Sequence, residues 1–232
     1  MGNKLIHIAC TRFLEKSHKS EAENKGIRIH DDSFVNITFP DQPLLVQTLR
    51  DNTFPLIFTS SYAVAAVARL VKKYAIKLIN NNAFCISGKT KTAALENGFM
   101  IMADAPNALK LANEIILSNV KEVLHCTANI RRDELREQLQ HAGITLNELE
   151  VYHKQIISKV VEDFNGVMFF SPSQADAFLQ LNKLMPEVPA FCVGSTTANH
   201  LAELNHSNII ISKTASEQDL LTEVFNYYNQ HT

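Results

Sequence analysis

The sequence lacks any apolar run approaching the roughly 20 residues that a helix needs to span a bilayer, although 46% of its 232 residues are hydrophobic. Residues 1–10 also lack the basic segment and cleavage site of a secretory signal. Neither sign of charge is in excess, because the formal net charge is -2 and the Lys and Arg residues are scattered. These absences predict a soluble cytoplasmic protein and disfavour nucleic acids and membrane surfaces as partners.

Cysteine is scarce and unclustered. The chain has four cysteines, Cys10, Cys85, Cys126 and Cys192, and each lies within or at the end of an apolar run. Zinc sites and redox motifs need closely spaced cysteines, so neither is indicated. We expect all four side chains to be reduced and buried.

The signature motifs of metal and nucleotide enzymes are also missing. The nine histidines form no H-E-x-x-H pattern, and neither a G-x-S-x-G elbow nor a complete phosphate-binding loop occurs. The triplet Gly88-Lys89-Thr90 resembles the end of such a loop, but Ala83 stands where the first glycine of the loop is required. The sequence therefore predicts a protein with neither a bound metal nor a cofactor.

What the sequence contains is an alternation of short runs rich in Val, Ile, Phe and Cys with longer amphipathic stretches. This alternation is typical of β-α units with largely parallel sheets. Strands are predicted near residues 5–10, 34–39, 56–59, 84–87, 99–102, 123–126, 149–157, 167–170, 190–193 and 209–211. Because so many strands are unusual for one open sheet, the predicted fold is α/β with two similar lobes, each a largely parallel sheet flanked by helices.

The two halves of the chain resemble each other in pattern and order. Segment 58–64, an apolar strand that leads into serine and then a helix, corresponds to segment 169–175. Segment 88–95 corresponds to segment 194–201, and the stretch 6–37 corresponds to 124–153. Because the three matches keep the same order, we interpret the chain as a duplicated α/β unit.

Each repeat places a serine or a glycine where a strand ends and a helix begins, at Ser60, Gly88, Ser171 and Gly194. Ligands of open α/β sheets bind at this edge, where the first N–H groups of a helix can hold a carboxylate or phosphate. Neighbouring hydroxyl groups add further donors, from Thr59, Ser61, Thr90, Ser173, Thr196 and Thr197. The same residue types are ordinary helix caps, so capping alone is the alternative interpretation of each turn.

Two further features have both a functional and a structural interpretation. Arg131 and Arg132 follow a strand and suit an anionic ligand, but they equally suit the solvated first turn of a helix. Tyr152 lies in an extended stretch, where tyrosine more often packs than takes part in chemistry.

Taken in this order, the motifs resemble those of the uroporphyrinogen-III synthase family. They are Cys10-Thr11-Arg12, Phe58-Thr59-Ser60 with Ala63-Val64, Leu135 to Gly143 followed by Glu150-Val151-Tyr152, Phe169-Phe170-Ser171-Pro172-Ser173, and Val193-Gly194-Ser195-Thr196-Thr197-Ala198. The sequence departs from the family at Phe13, where proline is common, and at Lys91 and Phe170, where threonine is usual. The resemblance implies two α/β lobes joined by two extended linkers, with residues 1–36 and 156–232 in the first lobe and residues 37–155 in the inserted second lobe.

The resemblance also implies a reaction. The substrate of the family is hydroxymethylbilane, a linear tetrapyrrole with eight carboxylate arms, and the product is uroporphyrinogen III, a ring with one pyrrole inverted. Loss of the hydroxymethyl oxygen gives an azafulvene, which the far pyrrole attacks to form a spiro intermediate that fragments and recloses. By this resemblance Tyr152 is the general acid. The implied substrate-binding residues are Arg12, Thr59, Ser60, Ser61, Gly88, Thr90, Ser171, Ser173, Gly194, Thr196 and Thr197.

A second function from another class is compatible with the same turns, namely a non-catalytic two-lobed binding module for an anionic small molecule. Such a module would not need Tyr152. A flavodoxin-like electron carrier is disfavoured, because the sequence contains neither a flavin phosphate loop nor an acidic phosphoacceptor cluster. A transient contact with the preceding enzyme of the pathway is a further expectation for the synthase.

Overall fold

The chain folds into two compact units. A computed structural model describes residues 5–130 and 133–231. Unit 1 comprises Met1–Asn36 and Gln155–Thr232, and unit 2 comprises Ile37–Lys154. Arg131 and Arg132, which the sequence offers as anion ligands, lie outside the described residues.

Unit 1 is a parallel five-stranded sheet with helices on both faces. Its elements are β1 (Ile6–Cys10), α1 (Lys16–Asn24), β2 (Ile27–Asp31), β9 (Gly166–Phe169), α7 (Pro172–Leu179), β10 (Ala190–Cys192), α8 (Ser195–Glu203), β11 (Ile209–Ile211) and α9 (Glu217–His231). The strand order is β11-β10-β9-β1-β2, and each neighbouring pair is parallel. The central pairing joins the two sequence segments of unit 1, since Ile8 of β1 lies opposite Gly166 of β9.

Unit 2 holds a six-stranded sheet. Its elements are β3 (Val35–Thr38), α2 (Pro43–Asp51), β4 (Leu56–Phe58), α3 (Ser61–Lys73), β5 (Asn82–Ile86), α4 (Lys89–Glu96), β6 (Met100–Ala105), α5 (Ala108–Leu117), β7 (Glu122–Ala128), α6 (Glu134–His141) and β8 (Thr145–Ile156). The strand order is β3-β8-β7-β4-β5-β6. The neighbours from β8 to β6 are parallel, and β3 occupies one edge.

The strand orders of the two sheets confirm the predicted duplication. The order β2-β1-β9-β10-β11 in unit 1 corresponds, strand for strand, to β8-β7-β4-β5-β6 in unit 2. The segments that match in sequence therefore occupy the same places in both sheets. The predicted α/β class with two mostly parallel, helix-flanked sheets is confirmed.

The strand prediction was wrong at two places. The described residues contain eleven strands, and β2 was not among those predicted. This strand lies at the edge of its sheet and alternates buried or half-buried residues with exposed ones, including the polar Arg28 and His30, so it lacks the apolar run of a central strand. Strand β8 begins at Thr145, before the predicted start, because its polar first half pairs with β7 from Glu122 onward.

The cores lie on both faces of each sheet. In unit 2, Leu56 and Phe58 of β4 pack with α3, whereas Ile57 between them packs on the opposite face with α5 and α6. Strands that are buried on both faces need a continuous apolar run, which is why the sequence shows such runs. Among the described helices, even the longest, α9 with 15 residues, is too short and too polar to cross a membrane.

An aromatic cluster fills one side of unit 1. Phe178 of α7 is fully buried, and the centroid of its ring lies 5.9 Å from that of Phe34, 5.3 Å from that of Phe164 and 5.5 Å from that of Phe169. Two of these pairs are edge-to-face, the geometry that the quadrupole of an aromatic ring favours. Phe178 therefore connects a helix, a strand and two connecting segments of the unit.

The prediction that the four cysteines are buried is confirmed. All four are free thiols, and each is buried. Burial raises the pKa of Cys10, Cys126 and Cys192 to about 12 and that of Cys85 to about 11. Thiols with such pKa values are protonated and unreactive at neutral pH.

Candidate functional site

The turn after β4 begins with a serine that caps helix α3. Ser60 Oγ accepts a hydrogen bond from the Tyr62 N–H at 3.2 Å, as expected of a serine at an N-cap. Because α3 starts at Ser61, the first N–H groups of this helix point beyond the carboxyl edge of the unit 2 sheet. The turn therefore combines a positive helix end with the half-buried hydroxyls of Ser60 and Ser61.

Tyr152 lies beside this turn. It belongs to the long strand β8, at the register position where Ala128 ends β7, and only 8% of its surface is exposed. Its phenol lies beside the Ser60 side chain, and its ring centroid lies 6.0 Å from that of Tyr62. Burial raises the pKa of Tyr152, the neighbouring Ser60 hydroxyl opposes that rise, and Tyr62 adds to it. The phenol is therefore protonated at neutral pH and below.

Thr59 contacts a buried histidine that the sequence analysis did not single out. Thr59 Oγ1 lies 3.2 Å from His125 Nε2, and His125 Nδ1 lies 3.8 Å from Glu148 Oε1. Arg136 in turn pairs with Glu148. In the sequence, a polar histidine within the apolar run of β7 is the feature from which a polar contact of His125 could have been predicted.

The turn after β5 depends on glycine. Gly88 has φ of 77° and ψ of -133°, a backbone conformation that L-residues rarely adopt, and helix α4 starts at the next residue. Thr90 is buried at 7% exposure, so this position offers mainly its backbone N–H to a ligand. Lys91 Nζ donates to Asp104 Oδ1 at 2.8 Å, and Ser87 Oγ donates to the other oxygen of Asp104 at 2.7 Å. The hydrogen bond with Lys91, followed by that with Ser87, holds the pKa of Asp104 below its ordinary value.

Unit 1 presents the equivalent turn after β9. Ser171 Oγ accepts from the Gln174 N–H at 3.3 Å and lies 3.2 Å from Ser173 Oγ, so the two predicted hydroxyls are adjacent at the start of α7. Both residues are half-buried. On the neighbouring strand β1, Thr11 follows the last residue and donates to the Met168 carbonyl at 3.0 Å. This bond helps to fix the carboxyl ends of β1 and β9 to each other.

The turn after β10 has one accessible and one inaccessible threonine. Helix α8 starts after Gly194, whose φ of -178° is ordinary extended backbone. Thr196 is exposed, whereas Thr197 is buried at 3% exposure. Of the two predicted hydroxyls, only that of Thr196 is open to solvent.

Arg12 is held by two side chains from distant parts of the sequence. One of its terminal nitrogens lies 2.6 Å from Glu217 Oε2, and the guanidinium stacks 3.9 Å from the centroid of the Phe170 ring. Burial raises the pKa of Glu217, but hydrogen bonds from His18, the Glu15 N–H and Arg12 outweigh burial, and the net pKa is lowered. The family resemblance predicts Arg12 as a substrate ligand, but nothing in the sequence indicates the carboxylate of Glu217 that pairs with it.

The geometry brings the predicted residues together within each unit. In unit 2, Ser60, Ser61 and Tyr152 adjoin one helix end, and in unit 1, Ser171, Ser173 and Arg12 lie at the ends of adjacent strands. Such edges can bind carboxylates through N–H groups and hydroxyls, and Tyr152 adds a protonated donor. In the parts of the chain that the structure describes, no three His, Cys, Asp or Glu side chains are arranged to hold a metal ion.

Comparison with known proteins gives a family match and a set of similar structures. The family model described as uroporphyrinogen-III synthase HemD matches residues 17–222. A crystal structure of mutant uroporphyrinogen III synthase from the extremely thermophilic bacterium Thermus thermophilus superposes with a TM-score of 0.72 at 15% identity, covering 98% of this chain and 100% of that chain. Uroporphyrinogen-III synthetase from Helicobacter pylori gives a TM-score of 0.68 at 19% identity, covering 96% and 99%. No curated protein sequence matches the chain. At these identities the structural likeness establishes the fold alone.

Proposed function

Because the chain belongs to the uroporphyrinogen-III synthase family, the cyclising lyases of haem biosynthesis, we propose that it closes hydroxymethylbilane to uroporphyrinogen III with Tyr152 as the general acid. The observation that supports this role is the burial of the Tyr152 phenol beside Ser60 at the carboxyl edge of unit 2, which keeps the phenol protonated. A phenol in this state can donate a proton without first receiving one from a base.

Ser60 also orients the phenol. A serine hydroxyl has one hydrogen and two lone pairs, and one lone pair of Ser60 accepts the Tyr62 N–H. Its hydrogen can turn toward the neighbouring Tyr152 oxygen, which would leave the phenol hydrogen to point toward the departing hydroxymethyl oxygen. Ser60 thus acts as a positioning residue for the acid.

The proposed step is balanced without a further reagent. The Tyr152 proton joins the hydroxymethyl oxygen, the C–O bond breaks, and water leaves as the pyrrole nitrogen supplies the electron pair. The far pyrrole then attacks the azafulvene, and the spiro intermediate fragments and recloses with that pyrrole inverted. The carbon that closes the ring finally loses a proton, which restores the phenol.

We propose that the substrate carboxylates bind at the helix ends of both units. The N-termini of α3, α4, α7 and α8 carry partial positive charge, and their first N–H groups are donors. This mode explains how a chain of net charge -2 binds a polycarboxylate without a basic patch. Further hydroxyl donors are those of Thr59, Ser61, Ser173 and Thr196. Backbone N–H groups come from Gly88, Gly194, Thr90 and Thr197. The same edge of unit 1 also holds Arg12 and Ser171.

One assay tests this function. Purified protein is incubated with hydroxymethylbilane, and the type I and type III ring isomers are separated after oxidation to porphyrins. We expect the type III isomer, whereas the spontaneous reaction gives type I. Binding of the substrate without any type III product would instead support the non-catalytic binding module, which the family assignment disfavours.

Removing single hydroxyls is expected to weaken substrate binding modestly. Ala substitutions at Ser171, Ser173 and Thr196 each delete a donor worth about 0.5–1.5 kcal/mol, so KM should rise about 2- to 10-fold while the backbone N–H groups remain. Thr197→Ala should leave KM nearly unchanged, because the Thr197 hydroxyl is buried. Thr196→Ala is the cleanest of the four, because Thr196 is exposed. The Ser171 variant should also destabilise the fold slightly, because Ser171 caps α7.

Thr222→Ala is the matched control, since its hydroxyl donates within α9 to the Gln218 carbonyl. It should leave KM unchanged. If any one of the four substitutions abolished activity in folded protein, binding would not be distributed over many donors, and that hydroxyl would have a specific catalytic role.

We further propose a cytoplasmic location and a transient contact with the enzyme that produces hydroxymethylbilane. Supporting this contact, free hydroxymethylbilane also closes spontaneously to the type I ring, so rapid transfer would limit the unwanted isomer. A coupled assay with that enzyme should yield a lower type I share than the same flux of added hydroxymethylbilane. Equal shares would contradict the proposed contact.

A further inference from the structure

Exposed aromatic rings are rare in this protein. The chain has 13 Phe, 5 Tyr and no Trp, and all of them lie in the described ranges. Only two are exposed, Phe13 at 65% and Tyr62 at 50%. Both follow a strand at the carboxyl edge of its sheet, Phe13 after β1 and Tyr62 after β4. The exposed aromatic surface thus coincides with the two edges that hold the candidate site residues.

The backbone of Tyr62 is fixed, although half of the residue is open to solvent. Its N–H is bound by Ser60, and its ring is tilted by 42° to that of Tyr152 at a centroid distance of 6.0 Å. The ring therefore has a stable position next to the proposed acid, which a flexible surface side chain would not have. An aromatic side chain with only two rotatable bonds loses little entropy when it binds a flat ligand.

Phe13 occupies a comparable place in unit 1. It follows Arg12, which Glu217 and the Phe170 ring hold in position. Phe13 itself is solvent-exposed, so its ring is available to a ligand at the edge formed by β1 and β9. Phe13 thus offers an exposed aromatic ring directly after the fixed Arg12.

We propose that Tyr62 and Phe13 each stack against a pyrrole ring of the tetrapyrrole. This inference rests on the proposed function, and it adds ring recognition to the recognition of carboxylates. Helix ends and hydroxyls can bind the carboxylate arms, but the flat faces of the pyrroles need apolar or aromatic partners. Offset or tilted stacking at centroid distances of about 4.5–7 Å supplies such a contact.

The test compares substitutions that keep or remove the ring. Tyr62→Leu and Phe13→Leu should each raise KM for hydroxymethylbilane about 2- to 10-fold with kcat within about 2-fold of the parent. Tyr62→Phe, which retains the ring, should restore most of the parental KM. The inhibition constant of the product, uroporphyrinogen III, should rise in parallel in both Leu variants.

Two exposed leucines serve as controls. Each lies at the C-terminal end of a helix, at the amino edge of its sheet and therefore opposite the candidate site. Leu117 ends α5 of unit 2 at 75% exposure, and Leu204 follows α8 of unit 1 at 48% exposure. Leu117→Ala and Leu204→Ala should leave KM and kcat unchanged.

The possible failures are distinguishable. If the parent forms no type III isomer, the proposed function itself fails. If the parent is active but KM is unchanged in Tyr62→Leu and Phe13→Leu, the stacking proposal is overturned and the function stands. A Tyr62→Leu variant with lower kcat and parental KM would likewise overturn it, because Tyr62 would then act by packing against Tyr152.

Discussion

Replacing Tyr152 with phenylalanine is expected to slow turnover by roughly 10- to 1,000-fold, the low end of what a positioned general acid contributes. The change keeps the buried ring and its contact with Tyr62 while deleting the hydroxyl that lies beside Ser60. Folding stability should change little, because the ring volume is conserved. At a fixed enzyme concentration the type I share should rise, since the spontaneous closure competes with the slowed enzyme. The measurement is kcat together with the isomer ratio.

Tyr74 provides a matched control in the same unit. Its phenol donates to Asp41 at 2.6 Å, far along α3 from Ser60, so Tyr74→Phe removes a phenol without touching the candidate site. This variant should keep the parental kcat and isomer ratio. Type III formation at the parental rate in Tyr152→Phe would reduce Tyr152 to a packing residue and leave catalysis to positioning and backbone donors.

The raised pKa of Tyr152 gives this prediction a pH dependence. A group whose pKa lies above its ordinary value keeps its proton until the pH rises beyond that value. The acid should therefore be intact throughout the neutral range, and its loss should reduce kcat only above about pH 10. An alkaline decline of kcat near neutral pH in the parent, absent from Tyr152→Phe, would contradict the raised pKa.

Among the proposed variants, Phe178→Ala is expected to lower the free energy of unfolding most, by about 3–5 kcal/mol. Removing this fully buried ring leaves a cavity among the rings of Phe34, Phe164 and Phe169. That loss is a large fraction of the roughly 5–15 kcal/mol that stabilises a typical domain. Urea denaturation should show an earlier midpoint. Hydrogen exchange should localise the effect to β9, β10 and α7 of unit 1.

Two companion variants separate cavity formation from a general loss of apolar surface. Phe178→Leu fills part of the cavity and should lose less stability, and Leu204→Ala on the surface should be nearly neutral. An unchanged midpoint in Phe178→Ala would mean that the aromatic cluster collapses to fill the space.

The fold could be predicted because parallel strands that are buried on both faces show themselves as apolar runs. Strand β2 escaped prediction because an edge strand needs only one buried row, and the alternation of Ile27, Arg28, Ile29 and His30 is weak evidence by itself. The duplication could be predicted because its matching segments recur in the same order, and both sheets repeat that order.

The candidate site was only partly accessible to sequence reasoning. Serine and glycine at strand ends identify the turns, because those residue types serve helix starts. The partners of Arg12 and Thr59 were not found, since Glu217 and His125 reach them through tertiary contacts. The burial of Thr90 and Thr197 could not be predicted either. Whether a residue in the first turn of a helix faces the core or the solvent depends on how that helix packs.

The pairing of β1 with β9 has a consequence for synthesis of the chain. Residues of unit 2 form a continuous segment, so this unit has its whole sequence once Lys154 has been made. Strands β1 and β2 are made first but have no central neighbour until β9 appears. At about 5–20 residues per second, the roughly 160 residues from the end of β1 to the end of β9 take about 8–32 seconds to make. During that interval an apolar strand at the N-terminal end of the nascent chain has an unpaired edge, and it is this segment that a chaperone would be expected to shield.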